Sequence, residues 1–498
     1  MVSSPSHPPS LARVFPPIRL SALLEAEPGA RTRGDPDVPV LDVAYDSRSV
    51  TPGALFCCIT GETTDGHEFA GEALDAGAAA LLVERWLALA ATQALVPSVR
   101  RAMGPIAARA FGRPAASMTM LGVTGTNGKT TTTYLLEAIA RRAGLLAGVI
   151  GTTGARIAGA PAPLERTTPE ASDLHRLLAR MRDDGVDLVA MEVSSHALVQ
   201  HRVSGVLFDA VAFTNLSQDH LDYHPSMQDY FEAKASLFTP ELARRGVVNA
   251  DDPWGRRLLE TPEVEVSTFA VDAEADVRAT GVEVSPSGLA FLVDGVRFRS
   301  SLRGAFNVSN CLAAIALSRA VGVPDDPIVA GIADVREVPG RVELIDEGQA
   351  FLVVVDYAHT AASILGVLQA IRPLATGRLI VVFGCGGDRD RAKRPLMGKA
   401  ATSIADLTII TTDNPRSEDP IAILSEIEPG ARDGGGDYVI EPDRRDAIVR
   451  AVAEAEPGDA VVIAGRGHEE FQELADDTIA FDDRAVAREA LRPVVSGA

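Results

Sequence analysis

The sequence predicts an α/β protein of three domains: a small N-terminal α/β unit, a central mostly parallel sheet entered through a phosphate-binding loop, and a C-terminal Rossmann-like open sheet. Three observations predict it. A chain of 498 residues is too long for a single core, so about three domains of ordinary size is the expectation. Apolar runs alternate with helical stretches along most of the chain, which is the pattern of a parallel sheet. "GVTGTNGKTTTTYLLEAIA", from Gly122 to Ala140, reads as a strand end, a glycine-rich turn, a lysine and a helix.

The elements follow in order. "MVSSPSHPPSLARVFPPIRL" is rich in Pro and Ser and lacks a basic start before an apolar core, so residues 1–20 read as a loose tail rather than a secretory signal. Residues 21–113 carry strands in "VAYDSRSV", "GALFCCIT" and "AALLVE", with a helix in "GHEFAGEALDAG" ending at Gly77. "RRAMGPIAARAFGRP" is a helix followed by a Gly/Pro break. Residues 114–338 hold the glycine-rich turn and the strands "VDLVAMEVS", "FDAVAFTNLS" and "RGVVNADD". Short strands and tight turns from Val277 to Leu302 predict a small antiparallel insert. Residues 339–498 contain four apolar runs, "AFLVVVDYAH", "GRLIVVFGCGG", "DLTIITTDNP" and "DAVVIAGRGHE". In open α/β sheets ligands bind outside the carboxyl ends of the strands, so Asp356, "GCGGDRD", "DNPR" and "GRGHE" are expected on one edge.

Composition excludes several classes. Hydrophobic residues are 46% and charged residues 23%, an ordinary globular balance. With 47 Lys+Arg against 68 Asp+Glu, the net charge is -21, which argues against a nucleic-acid surface and leaves any anion to be held by local devices. The four cysteines, Cys57, Cys58, Cys311 and Cys385, form no CxxC pair, so neither a zinc ribbon nor a thioredoxin-type site is expected, and they suit a reducing cytosol. No apolar run reaches membrane-spanning length.

The chemistry is carried by polar residues at strand ends. The opening turn departs from GxxxxGK[ST] at Val123, yet Gly125 and Gly128 flank it and Lys129-Thr130 follow. Backbone N–H groups and a helix N-terminus there suit β- and γ-phosphates; Lys129 adds a point charge and Thr130 a hydroxyl for Mg²⁺. The alternative is a turn holding nothing. Glu192 ends the strand in "MEVSSHAL" and suits Mg²⁺ beside Thr130, or is simply a solvated strand end. "NLSQDHLDYH" places Asp219, His220, Asp222 and His224 together; His220, Asp222 and His224 also admit a zinc reading. Lys234 in "YFEAKASLF" reads, on its own, as a helical lysine with its stem on apolar neighbours and its ammonium in water. "CGGDRDRAKRP" clusters Arg389, Arg391, Lys393 and Arg394, which suits an anion or a solvated loop. "DNPR" offers Asn414 and Arg416 to a carboxylate, or forms an Asn-Pro turn.

Taken together, these motifs resemble the Mur ligase family. The resemblance covers nearly the whole chain after the tail, through "DSRSVTPG", "GVTGTNGKTTT", "TTPE", "MEVSSHALVQHRV", "NLSQDHLDYH", "YFEAKASLF", "FNVSNCLAA", "GRVE", "DYAHT", "VFGCGGDRDRAKRP", "DNPRSEDP" and "GRGHE". It also accounts for Val123, because the family's loop is TGTNGKT. It implies a cytoplasmic step of peptidoglycan precursor synthesis with UDP-N-acetylmuramoyl-L-alanyl-D-glutamate as acceptor. ATP phosphorylates the free γ-carboxylate of the D-glutamate, and an amine attacks the acyl phosphate to give an amide, ADP and phosphate.

By the same resemblance, Gly125, Thr126, Asn127, Gly128, Lys129, Thr130 and Thr131 cradle ATP, and Asn310, Arg341, Asp356 and His359 complete that site. Thr130, Glu192 and His220 hold or surround Mg²⁺, and Lys234 matches a lysine carbamylated by CO₂ (N6-carboxylysine) that serves a second Mg²⁺. Lys129, Glu192, His220 and Lys234 are thus the catalytic set. Ser47, Thr167, Thr168, Ser194, Gln200 and Arg202 match contacts to the UDP acceptor. "DNPR" marks the branch using meso-2,6-diaminopimelate, with Arg389, Asp413, Asn414, Pro415, Arg416, Gly465 and Glu469 around that amino acid. Its second carboxylate gives Arg416 and Asn414 something to bind that L-lysine lacks. Two positions depart from the family: Arg466 stands where lysine is commoner and keeps the charge, and Ala361 follows "DYAHT" in place of proline. The family also suggests a monomer whose C-terminal domain swings shut.

The rivals are a lysine-adding relative, the D-Ala-D-Ala-adding ligase, folylpolyglutamate synthetase, and a nucleotide-gated binding protein without turnover. The first three do not account for "DNPR", and the intact Lys129, Glu192, His220 and Lys234 set weighs against the last.

Overall fold

Residues 16–61, 64–164 and 166–496 are described in the computed structural model. The chain divides into two compact units: residues 1–118 with 168–185 and 197–207, and residues 119–167 with 186–196 and 208–498. Of the tail expected through residue 20, residues 1–15 lie outside the described residues. The remainder is not loose: Ile18–Arg19 pairs with Pro39–Val40, and Leu20 is fully buried at the start of helix Leu20–Leu24.

The first unit is built on a five-stranded sheet. Asp42–Ala44, Ala54–Cys57, Ala80–Val83 and Gln93–Leu95 run parallel, and Arg31–Arg33 pairs antiparallel at the edge. The three expected strands occur there. Helix Val99–Ala110 packs Val99, Met103 and Ile106 against Leu55 and Leu82, and Ala171 and Ala179 of helix Ala171–Asp183 join the same core. Fully burying one such Val, Leu or Ile stabilises by about 1.5–3 kcal/mol.

His175 on that second helix is fully buried. Its Nε2 donates to Ser204 O at 2.9 Å, while Nδ1 has no partner among the described residues. Burial lowers its pKa to about 4, with the Ser204 hydrogen bond opposing. Between its ordinary 6.5 and about 4, the unfolded state binds a proton that the folded state refuses. Stability therefore falls as pH falls through that window, by up to about 1.4 kcal/mol per pH unit from this group. His175→Gln is expected to flatten the decline of Tm with acidity between those two values; superimposable pH profiles would refute this.

The second unit carries a nine-stranded sheet in the order Ala160–Ala162, Gly154–Ile157, Ala147–Gly151, Leu188–Glu192, Thr119–Thr124, Ala210–Phe213, Arg245–Asn249, Glu265–Ala270, Val277–Arg278. All neighbours from Ala147–Gly151 onward are parallel. The strand leading into the glycine-rich turn is therefore central, and helix Lys129–Arg142 leaves from its carboxyl end. Leu135, Leu136 and Ile139 of this helix pack on Leu121, Val123 and Leu312. Its last turn carries Arg141 and Arg142, which suit the negative end of the helix dipole. The antiparallel insert is smaller than expected. It comprises Thr280–Ser285, Gly288–Val293 and Val296–Ser300, whereas Val277–Arg278 extends the large parallel sheet.

The six-stranded sheet runs Glu343–Leu344, Leu352–Asp356, Ala460–Ala464, Leu379–Phe383, Leu407–Ile410, Asp437–Ile440. Only the first is antiparallel. The four expected strands are present. A fifth parallel strand, Asp437–Ile440, was not legible because it lies at the sheet edge, buried on neither face and polar at its start. A hairpin of Phe471–Glu473 and Thr478–Ala480 follows the last strand and was also not foreseen.

Candidate active site

Two glycines shape the turn after Thr119–Thr124. Gly125 has φ +144°, and a Cβ there would lie 1.9 Å from Thr214 Oγ1. Gly128 has φ +90°, and a Cβ there would lie 2.3 Å from Asn310 Oδ1. Val123, by contrast, is a fully buried strand residue, so the usual first glycine has no task in this turn. Helix Lys129–Arg142 starts at Gly128 without a side-chain cap, the arrangement that leaves its first N–H groups for an anion. Lys129 Nζ donates to Gly125 O and Thr126 O, both at 2.9 Å. Burial lowers its pKa, against the opposing charge of Glu192. A second loop braces the first: Asn127 N donates to Asn215 Oδ1 at 3.0 Å, and Ser217 N donates to Thr126 Oγ1 at 3.1 Å.

A cleft opens beside the turn. Asn127, Gly128, Thr130, Thr131 and Asn310 line one side, and Arg341, Asp356 and Tyr357 the other, with Phe306 and Val367 as apolar wall. Arg341 Nη2 donates to Thr130 Oγ1 at 3.1 Å, and its guanidinium lies 4.5 Å over the Tyr357 ring. Burial raises the Asp356 carboxyl, against Arg341, while Val342 N donates to its Oδ2 at 2.8 Å. His359 stands outside the cleft lining. Its Nδ1 is 2.7 Å from Tyr357 O, and its Nε2 is 3.4 Å from Asp219 Oδ2.

Asp219 was not singled out as a site residue, yet it joins the two large sheets' loops. Lys393 Nζ donates to its Oδ1 at 3.0 Å, and His220 Nε2 lies 3.4 Å from its Oδ2, as His359 does. Burial alone would raise this carboxyl. The His359 hydrogen bond and the charges of His220 and Lys393 outweigh it and hold the group well below the carboxylate range.

Glu192 is not a solvated strand end: it is 1% exposed. Its Oε1 accepts from Thr152 N at 2.9 Å and its Oε2 from Thr152 Oγ1 at 3.0 Å. The Thr167 hydroxyl, 3.3 Å from Thr152 Oγ1, continues that chain. Thr152 was missed; the "GTTG" that follows Ala147–Gly151 is the only local sign of it. Lys234 does not reach water either. It is 1% exposed, donates to Gly125 O at 3.0 Å, and lies 4.6 Å from the Tyr230 ring centre. Burial first, and then the charge of Lys129, hold its amine well below the usual lysine range.

These groups fit Mg²⁺ better than zinc. A buried carboxylate and a threonine hydroxyl beside a phosphate turn are hard oxygen donors. His224 Nε2 lies 2.9 Å from Ser195 Oγ, and no group of three or more His, Cys, Asp or Glu placed to hold a metal ion occurs among the described residues.

At the C-terminal sheet edge the expected loops do meet. Asn414 Nδ2 donates to Glu469 Oε2 at 3.0 Å, and Arg416 Nη1 donates to Gly387 O at 2.8 Å. A Cβ on Gly465, at φ +119°, would lie 2.5 Å from Asp413 Oδ2. Pro415 O lies on Gly387, closing the turn. Burial raises the Glu469 carboxyl, and Asp413 adds to it. The basic cluster does not act as one anion site. Arg394 is fully buried on Glu418 and Glu426, Arg391 pairs with Glu426, and Lys393 serves Asp219. Arg389 is exposed and donates to Asp388 O at 2.8 Å; among the described residues it alone of the four lacks a carboxylate partner. Arg466 is fully buried: Nη1 donates to Asn414 Oδ1 at 2.6 Å and Nη2 to Phe481 O at 3.1 Å. It orients the Asn414 amide rather than facing a ligand.

The remaining predicted contacts divide between the units. In the first, Arg202 donates through Nη2 to Gln200 Oε1 at 2.6 Å and through Nη1 to Thr168 O at 3.2 Å, while Ser47 Oγ donates to Glu72 Oε2 at 3.2 Å. In the second, Thr167 joins the Glu192 chain, and Ser194 lies half-buried beyond Glu192.

Comparison with known proteins bears on this arrangement. Three family descriptions match: Mur ligase family, catalytic domain, over residues 41–111; Mur ligase middle domain, over 123–318; and Mur ligase, glutamate ligase domain, over 340–467. The chain is similar to the UDP-N-acetylmuramoyl-L-alanyl-D-glutamate--2,6-diaminopimelate ligase of Geobacillus thermodenitrificans, 46% identical over 489 residues, covering 95% of this chain and 99% of that one. A solved structure of a ligase of the same name is 33% identical with TM-score 0.68, covering 96% of this chain and 99% of that one. Mycobacterium tuberculosis folylpolyglutamate synthase is 19% identical with TM-score 0.58, covering 79% of this chain and 94% of that one, a likeness of fold.

Proposed function

This chain belongs to the Mur ligase family, and on that premise we propose that it uses ATP to join meso-diaminopimelate to the D-glutamate γ-carboxylate of UDP-N-acetylmuramoyl-L-alanyl-D-glutamate. The reading rests on one observation above all. The phosphate turn and the carboxylate-reading loops belong to different sheets, yet Arg341 reaches Thr130 at 3.1 Å and Lys393 reaches Asp219 at 3.0 Å. ATP and an amino acid held by these two sets of loops are thereby brought to one place.

The steps balance as two transfers. A γ-carboxylate oxygen takes the γ-phosphoryl group of ATP and releases ADP. The amine of diaminopimelate then attacks the acyl carbon, forms the amide, loses a proton and expels phosphate. The turn from Gly125 to Thr131, with Lys129, holds the phosphates by backbone N–H groups and one ammonium, and Asn310, Arg341 and Asp356 close over the nucleotide. His359, through Asp219, steadies His220. Phosphoryl transfer asks a protein chiefly for positioning and charge stabilisation, which this donor set supplies. Mg²⁺, when bound, neutralises developing phosphate charge; Thr130, Glu192, His220 and a carbamylated Lys234 are the residues to hold or surround it. Ser47, Thr167, Thr168, Ser194, Gln200 and Arg202 address the acceptor. Arg389, Asp413, Asn414, Pro415, Arg416, Gly465 and Glu469 address diaminopimelate.

The domain limits that accompany this reading are 21–113, 114–338 and 339–498, in a monomer acting in the cytoplasm. Among the described residues no helix is long and apolar enough to cross a membrane. The test is ATP-dependent phosphate release with the UDP acceptor and either meso-diaminopimelate or L-lysine, with the product weighed. Turnover with diaminopimelate alone is expected. Turnover with lysine alone refutes the assigned specificity, and no turnover with either refutes the ligase.

A further inference from the structure

Arg416 is already gripping a carboxylate. Its Nε lies 2.7 Å from Glu473 Oε2, its Nη1 donates to Gly387 O at 2.8 Å, and its backbone N–H donates to Glu473 O at 3.2 Å. Nη2 has no protein partner among the described residues. With Nη1 engaged, the edge formed by Nε and Nη2 is the one left for a two-bond grip on a carboxylate, and Glu473 faces that edge. Glu473 ends strand Phe471–Glu473 of the short hairpin, and its side chain is 52% exposed, so it can swing into water at small cost. Its own backbone N–H donates to Asn414 Oδ1 at 3.0 Å, so the backbone stays seated while the side chain leaves.

We infer that Glu473 tunes the affinity of this site as an internal stand-in for the distal carboxylate of the amino-acid substrate, which must displace it from Arg416. The inference rests on the proposed assignment of Arg416 to that carboxylate. Exchange of one carboxylate for another keeps the guanidinium paired throughout. An amino acid with no distal carboxylate leaves the Arg416–Glu473 pair standing and gains nothing from it. Affinity for the correct substrate is held down by the same exchange, because each binding event breaks an ion pair.

The test measures KM for meso-diaminopimelate and for ATP in the full-length wild type, Glu473→Gln and Glu473→Ala. Both variants are expected to lower the diaminopimelate KM by about 2- to 5-fold, the scale of a partly exposed ion pair, and to leave the ATP KM unchanged. In the Arg416→Ala background the Glu473 change is expected to have no effect on either. A diaminopimelate KM that is unchanged or raised overturns the inference, the raised value meaning that Glu473 orients Arg416 for its ligand. Unaltered thermal midpoints identify the effect as local. If the wild type itself shows no diaminopimelate-dependent turnover, it is the proposed function that fails, not this inference alone.

Discussion

Replacing Lys234 with methionine is expected to lower kcat by on the order of 10²–10³-fold, the loss that accompanies removal of one preorganised charge-stabilising group. Methionine keeps the volume, so the fold should survive. The expectation follows from where the amine lies. It is 1% exposed, 3.0 Å from Gly125 O, and shares that oxygen with Lys129 at 2.9 Å. Two ammonium groups on one carbonyl repel each other, and burial penalises both. Burial and Lys129 hold the Lys234 amine well below its usual range, which favours the neutral form. Only a neutral amine attacks CO₂, and a carbamate formed there would exchange a repelled cation for an anion beside Lys129. Two measurements separate this from a purely structural lysine. With ¹³C-labelled bicarbonate the wild type should show a carbamate carbon that Lys234→Met lacks. Exhaustive removal of bicarbonate should slow the wild type and leave the variant's residual rate untouched. A wild type indifferent to bicarbonate and without that signal refutes the assignment, even if the variant is inactive.

Arg416→Ala is expected to raise the KM for diaminopimelate by about 10²-fold, since a charged hydrogen bond contributes about 1.5–3 kcal/mol and two are lost. The ATP KM should stay within about 2-fold, because a surface change away from the nucleotide is worth no more than about 0.5 kcal/mol there. Among the described residues Arg416 does not line the cleft beside the glycine-rich turn. Its backbone has φ +50°, a left-handed conformation costing about 1–2 kcal/mol for any residue with a Cβ, and the Gly387 and Glu473 contacts hold it there. Alanine meets the same backbone cost, so the comparison isolates the guanidinium. Arg416→Lys should fall between the two, because an ammonium keeps the charge but cannot fork. Equal rises in both KM values would refute the role.

How much of this was readable without coordinates varies with the reach of the interaction. The glycine-rich turn was legible because its conformation is local: two positive-φ glycines, a lysine and a helix start lie within six residues. The parallel sheets were legible from apolar runs, and the strand Asp437–Ile440 was not, since an edge strand lacks such a run. Lys234, in isolation, was misread as a snorkelling lysine, and for Glu192 a wet strand end stayed open beside the Mg²⁺ reading. Nothing adjacent in sequence reveals that Gly125 O and Thr152 lie against them. The "GDRDRAKRP" cluster was misjudged for the same reason. Its cations look like neighbours, but Glu418, Glu426 and Asp219 claim three of them separately.

The sequence by itself determined the α/β class, the glycine-rich turn, the family, and the identity of the residues gathered at the strand ends. Backbone conformation and alternation of apolar residues are written in short stretches of chain, and motifs are read from their order along it. Tertiary structure decided which of those residues are paired and buried. Asp219 meets Lys393 across 174 positions, and Arg341 meets Thr130 across 211. A charge's state depends on what surrounds it in space, through desolvation and Coulomb terms that fall off over a few ångströms and ignore the distance along the chain.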